Sequence, residues 1–193
     1  MPNPPKILAF AGSARQESFN KQLIKIAVDG ARKAGAEVTH IDLRDYPLPL
    51  YDQDLEAKEG LPENVEKIKQ LMIDHQGFLI SSPEYNSSIT PLLKNTLDWA
   101  SRKSSPNEPP LIAYKGKVAG LMSASPGGLG GLRSLIVLRS MLGNIGVLVL
   151  PTQKSIPQAN QAFNPDGTLK DPKQQEEIFQ LAKALTDIIK KLY

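Results

Sequence analysis

The chain contains no cysteine. That absence excludes disulfides, thiolate metal sites, and a sulfur-based redox pair or nucleophile, so any redox chemistry must come from a bound cofactor. Histidine is nearly as scarce. His40 and His75 stand far apart without ligand spacing, which argues against a zinc site and leaves no metal residue to name. No apolar stretch approaches the roughly 20 residues that span a bilayer. The short run from Ile7 to Gly12 follows a proline-rich start and lacks the layout of a signal peptide. The expectation is a cytoplasmic protein with no membrane insertion. A strong charge of either sign is also missing. The net charge is +3 with no basic run, which gives no footing for nucleic acid but suits anionic small ligands. There is no repeat, low-complexity segment or composition break. The 193 residues suit one domain over 1–193. Residues 1–5 are expected to be a loose extension, because Pro2, Pro4 and Pro5 prevent a helix there.

What is present is a regular alternation of short apolar runs with amphipathic segments. Strands are expected over 6–11, 37–42, 77–81, 117–123 and 146–150. Between them, 18–34 has helical spacing, with Leu23, Ile24, Ala27, Val28 and Ala31 on one face and Gly35 as a C-terminal cap. Residues 43 to about 60 read as a loop. Pro62 opens a helix to about Asp74, with Val65, Ile68, Leu71 and Met72 inward. Thr90 reads as an N-cap with Pro91 at the first helical position, and Leu92, Leu93, Leu97 and Trp99 supply the buried face. A polar, proline-rich loop over 101–115 precedes the fourth strand. Helices follow over 129–142 and 173–192, and Asn164-Pro165-Asp166-Gly167 marks a turn. Five near-continuous apolar strands alternating with five helices predict an α/β fold: a parallel sheet with helices on both faces, in the doubly wound order 2-1-3-4-5. Ligands then bind at the switch point, outside the C-terminal strand ends.

Three loops meet at that edge. Gly12-Ser13-Ala14-Arg15-Gln16-Glu17-Ser18-Phe19-Asn20 leaves the first strand and enters a helix. Backbone N–H groups, the Ser13 and Ser18 hydroxyls, the Asn20 amide and the Arg15 fork suit a phosphate monoester. The loop is also compatible with ordinary capping by Ser18 with Arg15 in solvent. It matches neither the Gly-rich dinucleotide fingerprint nor the nucleoside triphosphatase loop. The second loop, Ser81-Ser82-Pro83-Glu84-Tyr85-Asn86-Ser87-Ser88, suits a flat heterocycle. Pro83 and Tyr85 offer apolar faces, and Asn86, Ser87 and Ser88 offer hydrogen bonds. A plain surface turn has the same composition. The third, Ser123-Ala124-Ser125-Pro126-Gly127-Gly128-Leu129-Gly130-Gly131, lets backbone approach a ligand closely, or serves as a flexible lead into a helix. No acid, base or nucleophile stands out. Glu84 has no paired carboxylate or nearby histidine, so an exposed or helix-capping role is expected for it.

Taken together, Gly12-Ser13-x-Arg15-x-x-Ser18-x-Asn20, Pro83-Glu84-Tyr85-Asn86, Lys94-Asn95-Thr96-Leu97-Asp98-Trp99 and Ser125-Pro126-Gly127-Gly128 resemble the NADPH-dependent FMN reductases of flavodoxin-like fold, which include quinone, chromate and azo reductases. The resemblance implies a flavodoxin-like three-layer fold. It implies FMN with its phosphate on Ser13, Arg15, Ser18, Phe19 and Asn20. Pro83, Glu84, Tyr85, Asn86 and Ser88 would lie along the ribityl chain and ring, and Ser125, Pro126, Gly127 and Gly128 would close on the ring. NADPH or NADH gives hydride, and a small-molecule electron acceptor takes the electrons. Family members usually form dimers or tetramers, so a homo-oligomer is expected, with Asp98, Trp99 and the Tyr51 loop as packing or assembly residues. For Trp99 the core reading is preferred. Arg102, Lys103 and Arg133 are the candidates to meet a 2′-phosphate. An electron carrier is the alternative. Its relatives are usually acidic with Ser/Thr-rich phosphate loops, unlike the net charge of +3 and Arg15 here. A third possibility is a regulatory protein that kept the fold and lost the cofactor.

Overall fold

The computed structural model describes residues 3–193. Five strands form one sheet: β1 (Lys6–Ala11), β2 (Glu37–Asp42), β3 (Gly77–Ser81), β4 (Val118–Ala124) and β5 (Leu148–Ile156). All neighbours are parallel, in the order β2-β1-β3-β4-β5. The helices are α1 (Phe19–Lys33), α2 (Gln53–Glu59), α3 (Glu63–Asp74), α4 (Pro91–Ala100), α5 (Leu132–Asn144), α6 (Ala159–Ala162) and α7 (Pro172–Leu192).

The central strands β1, β3 and β4 are apolar on both faces because both faces are covered. Ile7, Ala9 and Ala11 of β1 join Leu79 and Met122 in a cluster with α1 and α7. Leu8 and Phe10 face the other way and join Phe78, Ile80 and Leu121 in a second cluster with α3, α4 and α5. Capping follows the sequence closely. Thr90 accepts the Leu93 N–H at 3.1 Å with Pro91 in the first turn of α4. Gly35 follows α1 with φ +89°, the left-handed conformation of a C-terminal cap. Trp99 is fully buried, and its Nε1 donates to the Pro49 carbonyl at 2.8 Å.

Five boundaries differ from the sequence expectation. The segment 43–60 is not all loop: it holds a 3-10 turn (Leu43–Asp45) and α2. Asp52 caps α2 by accepting the Asp54 N–H at 2.8 Å, and α2 buries no residue, so no apolar period marks it. Pro62 is the N-cap of α3 rather than its first residue. The helix α5 starts at Leu132, not 129, because Gly130 and Gly131 take φ +60° and +88°. The strand β5 runs on to Ile156 straight through Pro151. Register passes from Ala119↔Val149 to Leu121↔Gln153, so Gly120 alone faces Leu150, Pro151 and Thr152. An edge strand with a bulge is where proline is tolerated in a sheet. Finally, Pro5 is not loose. It is buried, and its carbonyl accepts the Glu37 N–H at 2.9 Å. Residues 1 and 2 of the expected extension lie outside the described residues.

Candidate active site

The loops leaving β1, β3 and β4 enclose a cavity of about 350 Å³. Its walls include Ser13, Arg15, Ser18, Phe19, Asn20, Pro83, Glu84, Tyr85, Ser125 and Pro126, which the sequence had marked, together with Ala124. Asn86, Ser88, Gly127 and Gly128 belong to the same loops but do not line this cavity.

The first loop starts where Gly12 donates its N–H to Ser81 O at 2.9 Å and Thr90 Oγ1 donates to Gly12 O at 2.7 Å. These two bonds fix the exit from β1 against β3 and α4. Beyond them, among the described residues, the N–H groups of Ser13, Ala14, Gln16, Glu17, Phe19 and Asn20 meet no protein acceptor. Ser18 takes the N-cap position of α1, yet its side chain makes no capping bond although it is buried. So the capping explanation for Ser18 does not apply, and of these free donors Ser13, Phe19 and Asn20 belong to residues that line the cavity, at the positive end of α1. The guanidinium of Arg15 is exposed and lies 5.1 Å from the Phe19 ring centre, a cation–π distance. Phe163 stacks on the far side of Phe19 at 6.1 Å and 4°. Nothing in the sequence pattern singled out Phe163, because the contact crosses from the segment after β5.

Asn20 is used differently from a ligand-facing amide. Its Oδ1 accepts the Ser81 hydroxyl at 2.8 Å and the Ala124 N–H at 3.0 Å, and its Nδ2 donates to Ala124 O at 2.8 Å. One side chain thus ties α1 to the ends of β3 and β4.

The second loop folds back on itself. Tyr85 and Ser88 exchange two backbone hydrogen bonds, at 2.9 and 3.0 Å, across Asn86 (φ +50°) and Ser87 (φ +67°). Two positive φ values match a type I′ turn, and a serine in this region is strained. Tyr85 is left 55 % exposed at the cavity mouth. Glu84 accepts the Arg133 N–H at 3.0 Å and pairs with its guanidinium at 2.8 Å. That is the helix-capping role expected for Glu84, at the start of α5.

In the third loop, Gly130 and Gly131 are required by their positive φ, and a Cβ at Gly131 would meet Ser123 at 2.9 Å. Gly127 and Gly128 are different. Neither has positive φ, and a Cβ at Gly128 would meet nothing within 4 Å. Nothing in the folded chain needs glycine there, which leaves room for a ligand lying against bare backbone.

Of the three cations considered for a 2′-phosphate, Arg102 is paired with Glu56 at 2.9 Å and lies 5.4 Å from the Tyr51 ring centre, and Arg133 is paired with Glu84. The 101–115 loop is held from below by Lys69, whose buried ammonium donates to Arg102 O at 2.6 Å, to Ser104 Oγ at 2.9 Å and to Glu108. Burial alone would raise the Glu108 carboxyl, but hydrogen bonds from Lys69 and Ser104 and the Lys69 charge hold it below its ordinary range. Among the described residues, no cluster of three acidic or histidine side chains could hold a metal ion.

A doubly wound sheet in this order, with a donor-rich loop after β1 and two further loops over the switch point, defines a flavodoxin-like protein. The model of the NADPH-dependent FMN reductases matches residues 5–161, and the chain belongs to that family. It is an NAD(P)H-dependent oxidoreductase with FMN as its cofactor. It is 34% identical over 189 residues to a probable NADPH:quinone oxidoreductase 2 of Oryza sativa, covering 95% of this chain and 88% of that protein. It is 34% identical over 188 residues to an NAD(P)H-dependent FMN reductase of Pseudomonas aeruginosa, covering 97% and 96%. The flavoenzyme FerB of Paracoccus denitrificans, an NAD(P)H:(acceptor) oxidoreductase, superposes with a TM-score of 0.80 at 28% identity over 97% of this chain and 98% of that one. An archaeal flavodoxin shares the fold alone, with a TM-score of 0.61 at 11% identity over 96% and 99%.

Proposed function

We propose that this protein reduces quinones, holding FMN between the three loops. Bound FMN supplies the redox chemistry, taking two electrons from NADPH or NADH and passing them to the acceptor. The observation that carries the placement is the set of unpartnered N–H groups between Ser13 and Asn20, of which those of Ser13, Phe19 and Asn20 belong to residues lining the cavity beside Arg15. They bind the phosphate together with the Ser13 and Ser18 hydroxyls. Phe19 braces Arg15. The Asn20 side chain sets the loop spacing, while its backbone N–H stays among the phosphate donors. Pro83, Glu84 and Tyr85 flank the ribityl chain and ring, with Asn86 and Ser88 shaping the turn that carries Tyr85. Ser125, Pro126, Gly127 and Gly128 close from the opposite side, where bare backbone admits a flat ring. No side chain is assigned as acid, base or nucleophile. Free flavin, chromate and azo compounds fit the same open ring face, and the relatives' names favour quinone among them.

The apolar residues Leu132, Ile136 and Val137 are exposed on α5, and Leu129 is exposed in the loop just before it. This supports assembly into a dimer or tetramer through that face. No helix among the described residues is long and apolar enough to cross a membrane, and we place the protein in the cytoplasm. The test is an absorption spectrum of purified protein loaded with FMN, before and after anaerobic NADPH, followed by addition of a benzoquinone. Flavin bands that bleach and then return support the reading. A protein that gains no flavin bands overturns it.

A further inference from the structure

A second, larger cavity of about 810 Å³ adjoins the flavin cavity, with Ser18 lining both. It runs between α1 and the C-terminal end of β2, and the 164–168 turn walls its far side. Its volume is that of a small-molecule site. Ile26 and Ile41 give it an apolar floor, and both are buried. At its centre Asp42, the last residue of β2, pairs in register with Ala11, the last residue of β1. Adjacent strands lie about 4.8 Å apart. Asp42 therefore stands one strand away from the loop that grips the phosphate.

The Asp42 carboxylate is fixed but not used up. Its Oδ1 accepts the Arg44 N–H at 3.0 Å, its Oδ2 accepts the Lys21 ammonium at 2.5 Å, and the side chain is 35% exposed. Each oxygen keeps a second lone-pair site, enough for two vicinal hydroxyls. In the dinucleotide-binding variant of doubly wound sheets an acidic side chain at the end of the neighbouring strand receives ribose hydroxyls; this chain lacks that variant's glycine-rich loop, but Asp42 offers a carboxylate in the corresponding place. Lys21 lies in the first turn of α1 and puts a cation on the wall of the larger cavity. Glu17, Asp29, Asp45 and Asp166 outnumber Lys25 and Arg44 along the rest of the groove, which suits a neutral ribose and an exocyclic amine there and leaves Lys21, beside Asp42, as the cation for a second phosphate.

We propose that this groove takes an adenosine 5′-phosphate group, entering from the phosphate loop over β2, so that the protein accepts FAD as well as FMN. The proposal rests on the placement of the flavin phosphate given above. A site built for the monoester alone discriminates against FAD, because the adenosine half must leave the loop into the protein wall. Here it leaves into a cavity.

The experiment titrates flavin-free protein with FMN and with FAD, following flavin fluorescence. It is repeated for Asp42→Asn, which keeps the shape of the side chain, and for Lys25→Trp, which fills the groove from an exposed position. The expected result is an FAD dissociation constant within about threefold of that for FMN. Each variant should weaken FAD by about tenfold or more and leave FMN within about twofold. FMN binding with FAD weaker by about a hundredfold, or variants that weaken both flavins equally, overturns the proposal and leaves the flavin site standing. Failure of both flavins to bind overturns the flavin site and this inference with it. A final arm separates two sources of the same chemical group. Saturable binding of 2′-phospho-ADP-ribose to FMN-loaded protein, weakened by the same variants, assigns the groove to the adenosine of the nicotinamide. Its absence alongside tight FAD binding assigns the groove to FAD.

Discussion

Asn20 Oδ1 accepts the Ser81 hydroxyl at 2.8 Å inside the protein, and the same oxygen accepts the Ala124 N–H. A residue at the start of α1 thereby sets the separation of the ends of β3 and β4. Both partners are buried, so neither bond can be replaced by bulk water when Asn20 is lost.

Replacing Asn20 by alanine leaves the Ser81 hydroxyl and the Ala124 backbone groups without partners. The expected loss is about 2–4 kcal/mol of stability, read as a lower urea midpoint with an unchanged slope. FMN affinity falls as well, because the three loops lose their common tie. Wild-type stability in this variant would show that the clamp is redundant.

Arg15→Ala removes one charge-assisted contact to the phosphate. It should cost about 1.5–3 kcal/mol of FMN affinity, more than tenfold in dissociation constant. Riboflavin, which lacks the phosphate, should bind wild type and variant alike. An unchanged FMN constant would take Arg15 out of the site.

The two kinds of glycine in the third loop should separate cleanly. Gly131→Ala places a Cβ 2.9 Å from Ser123 at φ +88° and should destabilise the fold by about 1–3 kcal/mol in thermal or urea unfolding. Gly128→Ala has open space and should unfold like the wild type while binding FMN several-fold more weakly. Equal FMN affinity in Gly128→Ala would mean that the ring does not lie against that backbone.

The Lys69–Glu108 pair gives a pH-dependent prediction. Glu108 titrates lower in the folded chain than in the unfolded one. Its contribution is therefore complete above the unfolded value of about 4.3 and disappears as pH falls through the folded value. At pH 7, Glu108→Gln should lose about 2–3 kcal/mol, since the buried Lys69 keeps only its bonds to Arg102 O and Ser104 Oγ. The gap between variant and wild type should close below about pH 4. A gap that stays constant down to pH 3 would show that the charge of Glu108 is not what matters.

Much of this was legible in the sequence, for identifiable reasons. The strand runs were apolar because both sheet faces are covered, and Thr90-Pro91 and Gly35 announced helix ends through backbone chemistry that is local. The three loops could be placed together because a parallel sheet puts every strand end at one edge. What stayed hidden was non-local or unpatterned. The short helix α2 buries nothing, so periodicity had nothing to mark. Pro151 looked like a strand terminus, and only the bulge on an edge strand explains why β5 continues. The stacking of Phe163 on Phe19 and the capture of Asn20 by Ser81 and Ala124 join segments far apart in the chain. The loop after β1 marked Asn20 as a phosphate ligand, and its side chain, which also ties the ends of β3 and β4, gave no local sign of that second role.

The bulge at Pro151 also bears on how copies of this protein can meet. Proline offers no N–H to a neighbouring strand, and Arg139 Nη1 takes the carbonyls of Leu150 at 2.9 Å and Pro151 at 3.3 Å. The outer border of the sheet at β5 is thus a poor template for strand addition. Sheet-to-sheet growth is blocked along that border at the bulge, since neither the missing N–H of Pro151 nor the two carbonyls held by Arg139 can serve a further strand.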